Sequence, residues 1–364
     1  MPSLFDGTPN SLFEAMAAGA FPIVEPAVNV SSIVKNLKRS IRKTLGRAVD
    51  RVLQSCAPVL APMIGRMART GAGTDACLAW RCLPLPVNWY SPIPDMNDLE
   101  RRKVWDKRSE LKGIDFRADA QVALLSSLGR KFAHECDWPL TAGENPQQFF
   151  IENTNFTYGC AASLHSMIRN FKPRRVIEIG SGNSSLIIDS ALRLNARDDS
   201  SFVTEYNIVD PEPRPVVKRG LPSLKRLLEH QVELLDLAFF EQLGENDILF
   251  VDSGHTVRMG SDVNYLILDV LPRLAPGVII HFHDVPLPYE YAKVYATNAK
   301  FRVFWTEAYL LQAFLSFNTH FEIMLALCYL MTERKEIFCG AFPLYDARIH
   351  KAISESFWIR RKRS

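Results

Sequence analysis

The stretch that most restricts what this chain can fold into is Val176-Ile177-Glu178-Ile179-Gly180-Ser181-Gly182-Asn183-Ser184-Ser185. An apolar run of strand length ends in Gly-x-Gly and opens into a helical pattern. Gly180 can take the positive φ of a tight turn, and Gly182 lets a ligand approach the backbone. The first N–H groups of the helix then face whatever lies over the turn. Farther on, a second apolar run, Tyr206-Asn207-Ile208-Val209, ends in Asp210, an acid able to take both hydroxyls of a ribose. Together these are the parts of a nucleoside-binding crevice at the carboxyl edge of an open parallel sheet. The third glycine of the dinucleotide fingerprint is missing, with Ser185 in its place, and Glu178 is foreign to that pattern. A turn kept for fold reasons alone is the plainer alternative.

The rest of the chain agrees with such a sheet. Strands are expected at 175–179, 204–210, weakly at 231–235, and at 247–252, 277–283, 321–328 and 356–360. Helices are expected at 99–112, 117–135, 158–171, 184–196, 221–230, 237–243, 261–273, 289–296 and 306–317. Strands alternating with helices at this pitch imply a parallel sheet wound on both faces. The fold expected is therefore α/β: a doubly wound, mostly parallel, seven-stranded Rossmann-like sheet with an antiparallel last strand. A helical and Pro-rich extension precedes it. The divisions expected are 1–82, a basic helical extension and linker; 83–149, a Pro-rich arm with helices covering the active-site edge; and 150–364, the sheet domain.

Within 31–56, Ile33, Leu37, Ile41, Leu45, Val49, Val52 and Cys56 recur at helical spacing among seven Lys/Arg and one acid, Asp50. Pro58 and Pro62 are expected to end this helix, and 63–80 reads as a Gly- and Ala-rich linker. A basic amphipathic helix suits either peripheral contact with an anionic membrane or packing on its own domain or in a homo-oligomer. Net charge is only +3, which does not mark a nucleic-acid binder. The seven cysteines are scattered without a CxxC pair, the opening residues lack a secretory pattern, and no apolar run is long enough to span a bilayer. A cytoplasmic chain, with contact at the inner membrane surface through 31–56, is the expectation.

Two further strand ends carry chemistry. One closes in Asp252-Ser253-Gly254-His255 and the other in His281-Phe282-His283-Asp284. Both fall on the same sheet edge as Gly180. An imidazole there can take a proton from a hydroxyl acceptor, with Asp284 or Asp252 orienting it. His255 is the first candidate base and His283 the second; His281 lies deeper and reads as structural. The aromatic stretch 286–295 either walls an acceptor pocket or is a packed loop.

At these residues the chain resembles the class I S-adenosylmethionine-dependent methyltransferases, whose first motif has an acid, one residue, then Gly-x-Gly. Trp89-Tyr90-Ser91-Pro92-Ile93-Pro94-Asp95, Lys112-Gly113-Ile114-Asp115-Phe116, Ser166-Met167-Ile168-Arg169 and Tyr309-Leu310-Leu311-Gln312-Ala313-Phe314 are similar to a bacterial group of that family with largely unassigned substrates. The resemblance implies that Glu178, Gly180, Ser181, Gly182, Asn183 and Ser184 hold the amino-acid end of S-adenosylmethionine. It implies Asp210 at the ribose, Asp236 near the adenine, and Asp252 beside the cofactor. Methyl transfer to an oxygen of a small molecule or saccharide is the implied activity. The Asn/Asp-Pro-Pro-aromatic motif of N-methyltransferases is replaced by Asp252-Ser253-Gly254-His255. In metal-dependent catechol-type relatives, acids at the positions of Asp252 and Asp284 ligate magnesium, and His283 could join them. The alternative is a non-catalytic nucleoside-binding or scaffold protein at a membrane surface.

Overall fold

Strand β1 (Arg175–Ile179) is flanked by two parallel neighbours, β2 (Glu205–Val209) and β4 (Ile248–Val251), and this arrangement positions the candidate site. The computed structural model describes residues 30–298, 302–345 and 353–363. The seven strands run in the order β3-β2-β1-β4-β5-β7-β6, with β3 Leu224–Leu228, β5 Ile279–Phe282, β6 Phe321–Ala326 and β7 Phe357–Arg361. Strand β7 is antiparallel to both β5 and β6, as expected of the last strand. Successive crossovers leave β1 toward β2 and β3 on one side, and resume with β4 and β5 on the other. Right-handed crossovers then put the connecting helices on opposite faces and open a crevice between the carboxyl ends of β1 and β4.

The central strands are apolar along both faces because both are covered. Val176, Ile177, Ile208, Ile248, Leu249, Phe250, Ile279, Ile280, Phe282 and Phe357 are all buried. Helices α2 (Ala118–Phe132), α3 (Tyr158–Phe171) and α4 (Asn183–Asp198) pack in sequence, α2 on α3 and α3 on α4. A partly buried ion-pair group ties this layer together: Glu135 takes His165 and Arg169 at 2.7 Å each, and Arg169 reaches the exposed Asp198 at 2.5 Å.

The structure corrects several expectations. Residues 224–228 form the edge strand β3, not part of a helix over 221–230. The spacing of Leu221, Leu224, Leu227 and Leu228 suits a helix, but pairing with Tyr206–Val209 overrides it. Residues 232–234 form a single turn rather than a strand. No single helix covers 99–112; a short helix Met96–Arg101 is followed by one turn at Val104–Asp106. Leu327–Glu333 is a helix where the end of a strand was expected, and Lys335–Ala341 is a helix where no element was expected.

The chain divides into two units, residues up to Asp98 and those from Leu99 onward. In the first, helix α1 runs from Val30 to Thr70, past Pro58 and Pro62 and into the expected linker at 63–80. Each proline strips one hydrogen bond from the carbonyl four residues earlier. Here those carbonyls belong to Gln54 and Pro58, both exposed, so water replaces the lost partners.

Candidate active site

Ladder hydrogen bonds carry the strand pairing one residue beyond each strand and so fix the site residues. Gly180 N donates to Val209 O at 2.9 Å, Asp252 N to Ile179 O at 2.9 Å, Asp210 N to Leu228 O at 3.0 Å, and His283 N to Val251 O at 2.9 Å. Gly180 has φ +79°, and a Cβ built there would lie 2.1 Å from Asp252 O. Only glycine lets β1 and β4 close around the turn in this way.

A cavity of about 280 Å³ opens over the turn. Gly180, Asp210, Pro211, Val232, Glu233, Asp252 and Arg258 are among its walls. Asp210 faces it from the end of β2, with Ser181 Oγ donating to its Oδ2 at 2.5 Å and Glu212 N to its Oδ1 at 2.8 Å. Asp236 is not among the lining residues. It is exposed and its Oδ1 accepts from Ala238 N, starting the short helix Ala238–Glu241. The acid this loop brings to the wall is Glu233, which the sequence reading did not select; in a weak, ambiguous segment nothing distinguished it from Asp236.

Glu178 does not line the cavity. It is fully buried and accepts hydrogen bonds from Ser184 Oγ at 2.7 Å, Ser185 Oγ at 3.1 Å and the Tyr206 hydroxyl. Burial pushes its carboxyl up to about 8, against the pull of those hydroxyls. Asn183 is likewise engaged, donating from Nδ2 to Asn153 Oδ1 at 2.8 Å. The side chains of Glu178, Asn183 and Ser184 therefore brace the turn, and a ligand above it meets backbone.

At the next strand ends the structure brings His255, His283, Asp252 and Asp284 together. His255 Nε2 lies 3.2 Å from Asp252 Oδ1 and 3.6 Å from Asp284 Oδ2. His283 Nδ1 lies 3.3 Å from Asp284 Oδ1 and 3.6 Å from Asp252 Oδ1, ion-pair distances without the alignment of a hydrogen bond. His255 and Asp284 both hold positive φ, 55° and 56°, an uncommon conformation for residues with side chains. His281 is set apart: it is buried, stacks on Phe250 with ring centroids 4.2 Å apart, and meets Ser356 Oγ at 2.9 Å. Burial and the neighbouring His283 hold it well below the ordinary imidazole range, so it stays neutral and structural.

Two buried acids complete the cluster. Glu307, at the start of α5 (Glu307–Leu315), accepts from His255 Nδ1 at 2.8 Å and from Ser253 Oγ at 3.3 Å. Glu355, just before β7, accepts from Tyr295 Oη at 2.8 Å, and burial and the charge of Asp284 push its carboxyl up to about 7. The acid Glu307 at the head of an otherwise apolar helix could have drawn attention; alone, it reads as an ordinary first-turn acid. Burial opposes charge on His255, but Asp252 and Glu307 override it and hold the ring well above its usual range. Burial likewise opposes charge on His283, and Asp284 and Asp252 override it. Burial pushes Asp252 up, yet His283 and His255 pull it far below the usual carboxylate range. The aromatic stretch after β5 packs beside the cluster: Tyr295 and Tyr291 lie against Trp305, whose ring centroid is 4.7 Å from that of His255.

Residues 177–285 match a family model described as a methyltransferase domain. An uncharacterized protein of Archaeoglobus fulgidus is 32% identical over 170 residues, covering 45% of this chain and 75% of the relative. Among solved structures, the SAH-bound Podospora anserina methyltransferase PaMTH1 aligns at 19% identity, TM-score 0.34, over 74% of this chain and 97% of its own. An apo structure of CmcI aligns at 13% identity, TM-score 0.33, over 63% and 86%. The matched segment runs from the middle of β1 to just past Asp284, and so takes in the turn, the Asp210 wall and the histidine edge alike. With that segment set in a sheet of order β3-β2-β1-β4-β5-β7-β6, residues 177–285 carry a methyltransferase domain.

Proposed function

We propose that this protein transfers a methyl group to an oxygen of a small hydroxylated acceptor, a phenol or a sugar, held at the Asp252–His255–His283–Asp284 edge. One observation carries the reading: Asp252 belongs to both halves of the site. It lines the cavity with Gly180 and Asp210, and its Oδ1 faces both imidazoles. An acceptor over those rings therefore stands beside the cofactor cavity.

The residues present fit the cofactor. Asp210 offers carboxylate oxygens to ribose hydroxyls, Val232 an apolar wall, and the Gly180 turn a close approach to backbone. S-adenosylmethionine bound there supplies a sulfonium methyl for in-line displacement. The chain must orient the acceptor and handle its proton.

The two rings are poor free bases in this arrangement. Carboxylates face both nitrogens of His255, so the ring keeps two protons at neutral pH and donates rather than accepts. The geometry instead favours a cation. Donor atoms of Asp252, His283 and Asp284 lie within 4.8 Å of one another. His283 Nδ1 is buried without a hydrogen-bond partner and faces both acids. A hard divalent ion such as magnesium on these three would lower the pKa of an acceptor hydroxyl. His255, with Glu307 behind it, keeps a charged donor aimed at Asp252 and Asp284.

The test is label transfer from methyl-labelled S-adenosylmethionine to a panel of phenols and sugars. The reading expects transfer that stops on chelation, returns with magnesium or manganese, and is lost in Asp284→Ala. Transfer at full rate in His255→Ala, His283→Ala and Asp284→Ala would overturn it.

A further inference from the structure

We propose that α1 docks the protein on an anionic lipid surface. Between Leu45 and Met67, apolar residues recur at spacings of three and four: Val49, Val52, Cys56, Val59 and Met63, with Leu53, Leu60 and Ile64 beside them. At about 3.6 residues per turn they form one stripe, and Pro58 and Pro62 fall on the opposite side. The stripe is not covered: Val52 is 61% exposed, Val59 71% and Met63 61%. The same unit exposes Trp80, Trp89 and Tyr90, residue types enriched where bilayers meet water. A surface this apolar needs a partner. Among the described residues no helix is long and apolar enough to cross a membrane, so the contact lies along the surface.

Charge selects the partner. Residues 31–56 hold Lys35, Lys38, Arg39, Arg42, Lys43, Arg47 and Arg51 against Asp50 alone. Two copies of such a helix laid side by side would set cation against cation with almost no acid to pair them. An anionic headgroup layer meets the cations at the start of the helix, while its acyl boundary takes the apolar stripe that follows.

The experiment is sedimentation of the full chain with vesicles of phosphatidylcholine alone or with 30% phosphatidylglycerol. The proposal expects binding to the second at least tenfold above the first, and weakening in 1 M salt, where the screening length is about 3 Å. Val52→Asp with Val59→Asp, both on exposed positions, should cut binding at least tenfold, as should Lys38→Glu with Arg42→Glu. Affinity for S-adenosylmethionine should not change in either. Equal sedimentation with both vesicle types overturns the proposal. So does a dimer, seen by analytical ultracentrifugation without vesicle binding, that Val52→Asp dissociates; the occupant would then be a second copy.

Discussion

Glu307 Oε2 lies 2.8 Å from His255 Nδ1, so the head of α5 holds the ring that the end of β4 presents. The backbone repeats the link: Thr306 N and Glu307 N donate to His255 O at 2.8 and 3.1 Å. Both side chains are buried, and removing Glu307 leaves His255 Nδ1 without its partner while Asp252 and Asp284 still face Nε2. Glu307→Ala should therefore destabilise the fold by about 1.5–3 kcal/mol in urea denaturation. The pH dependence follows from the raised imidazole. Its contribution is complete below the ordinary value of 6.5 and is lost as pH rises through the folded value. The deficit of Glu307→Ala should accordingly be largest in acid and shrink in alkali.

Glu178 behaves in the same direction for a different reason. Its carboxyl rises from 4.5 to about 8, so between those values the folded chain binds the proton more tightly than the unfolded one. Stability falls as pH climbs through that window, by up to about 1.4 kcal/mol per pH unit from this group. Glu178→Gln should flatten that slope in thermal melts between pH 5 and pH 8. An unchanged slope would show that Glu178 stays ionised beneath Ser184, Ser185 and Tyr206.

A cation on Asp252, His283 and Asp284 can be detected without an acceptor. A ligand that binds only the folded state at about 100 times its Kd adds about 2.7 kcal/mol of stability. Magnesium or manganese should raise the melting temperature of the wild type by several degrees and leave Asp284→Ala unmoved. Equal shifts in both would place the ion elsewhere.

Gly180→Ala should be severe. The new methyl would meet the Asp252 carbonyl at 2.1 Å, at a φ of +79° that alanine resists. Loss of more than about 3 kcal/mol of stability, or of soluble protein altogether, is expected. A variant that melts like wild type would contradict the packing of β1 against β4 at this turn.

Most of the sheet was legible because its strands are buried on both faces and read as continuous apolar runs bounded by glycine or acid, as at Val176–Gly180 and Ile248–Asp252. Strand β3 was not, because an exposed edge lets Leu, Lys and Arg fall at helical spacing, and only pairing with β2 decides. The reach of α1 past two prolines was hidden for a related reason: their cost depends on whether the freed carbonyls meet water, which is a fact of exposure. Residues at strand ends, Asp210, Asp252, His255, His283 and Asp284, could be grouped from topology alone. Glu307 and Glu355 come from distant segments and carry no local signal; folding alone delivers them to His255 and Asp284. The role of Glu178 also needed the structure, since Tyr206 and two serines close over it.

The central claim is that the cavity between Gly180, Asp210 and Asp252 takes S-adenosylmethionine, and titration calorimetry on the full chain tests it most directly. The account predicts binding in the micromolar range by the wild type. Asp210→Ala should weaken it at least tenfold, since each hydrogen bond to a charged group contributes about 1.5–3 kcal/mol, whereas Asp236→Ala should match the wild type. A folded wild type that binds no S-adenosylmethionine, or a loss in Asp236→Ala equal to that in Asp210→Ala, would contradict it.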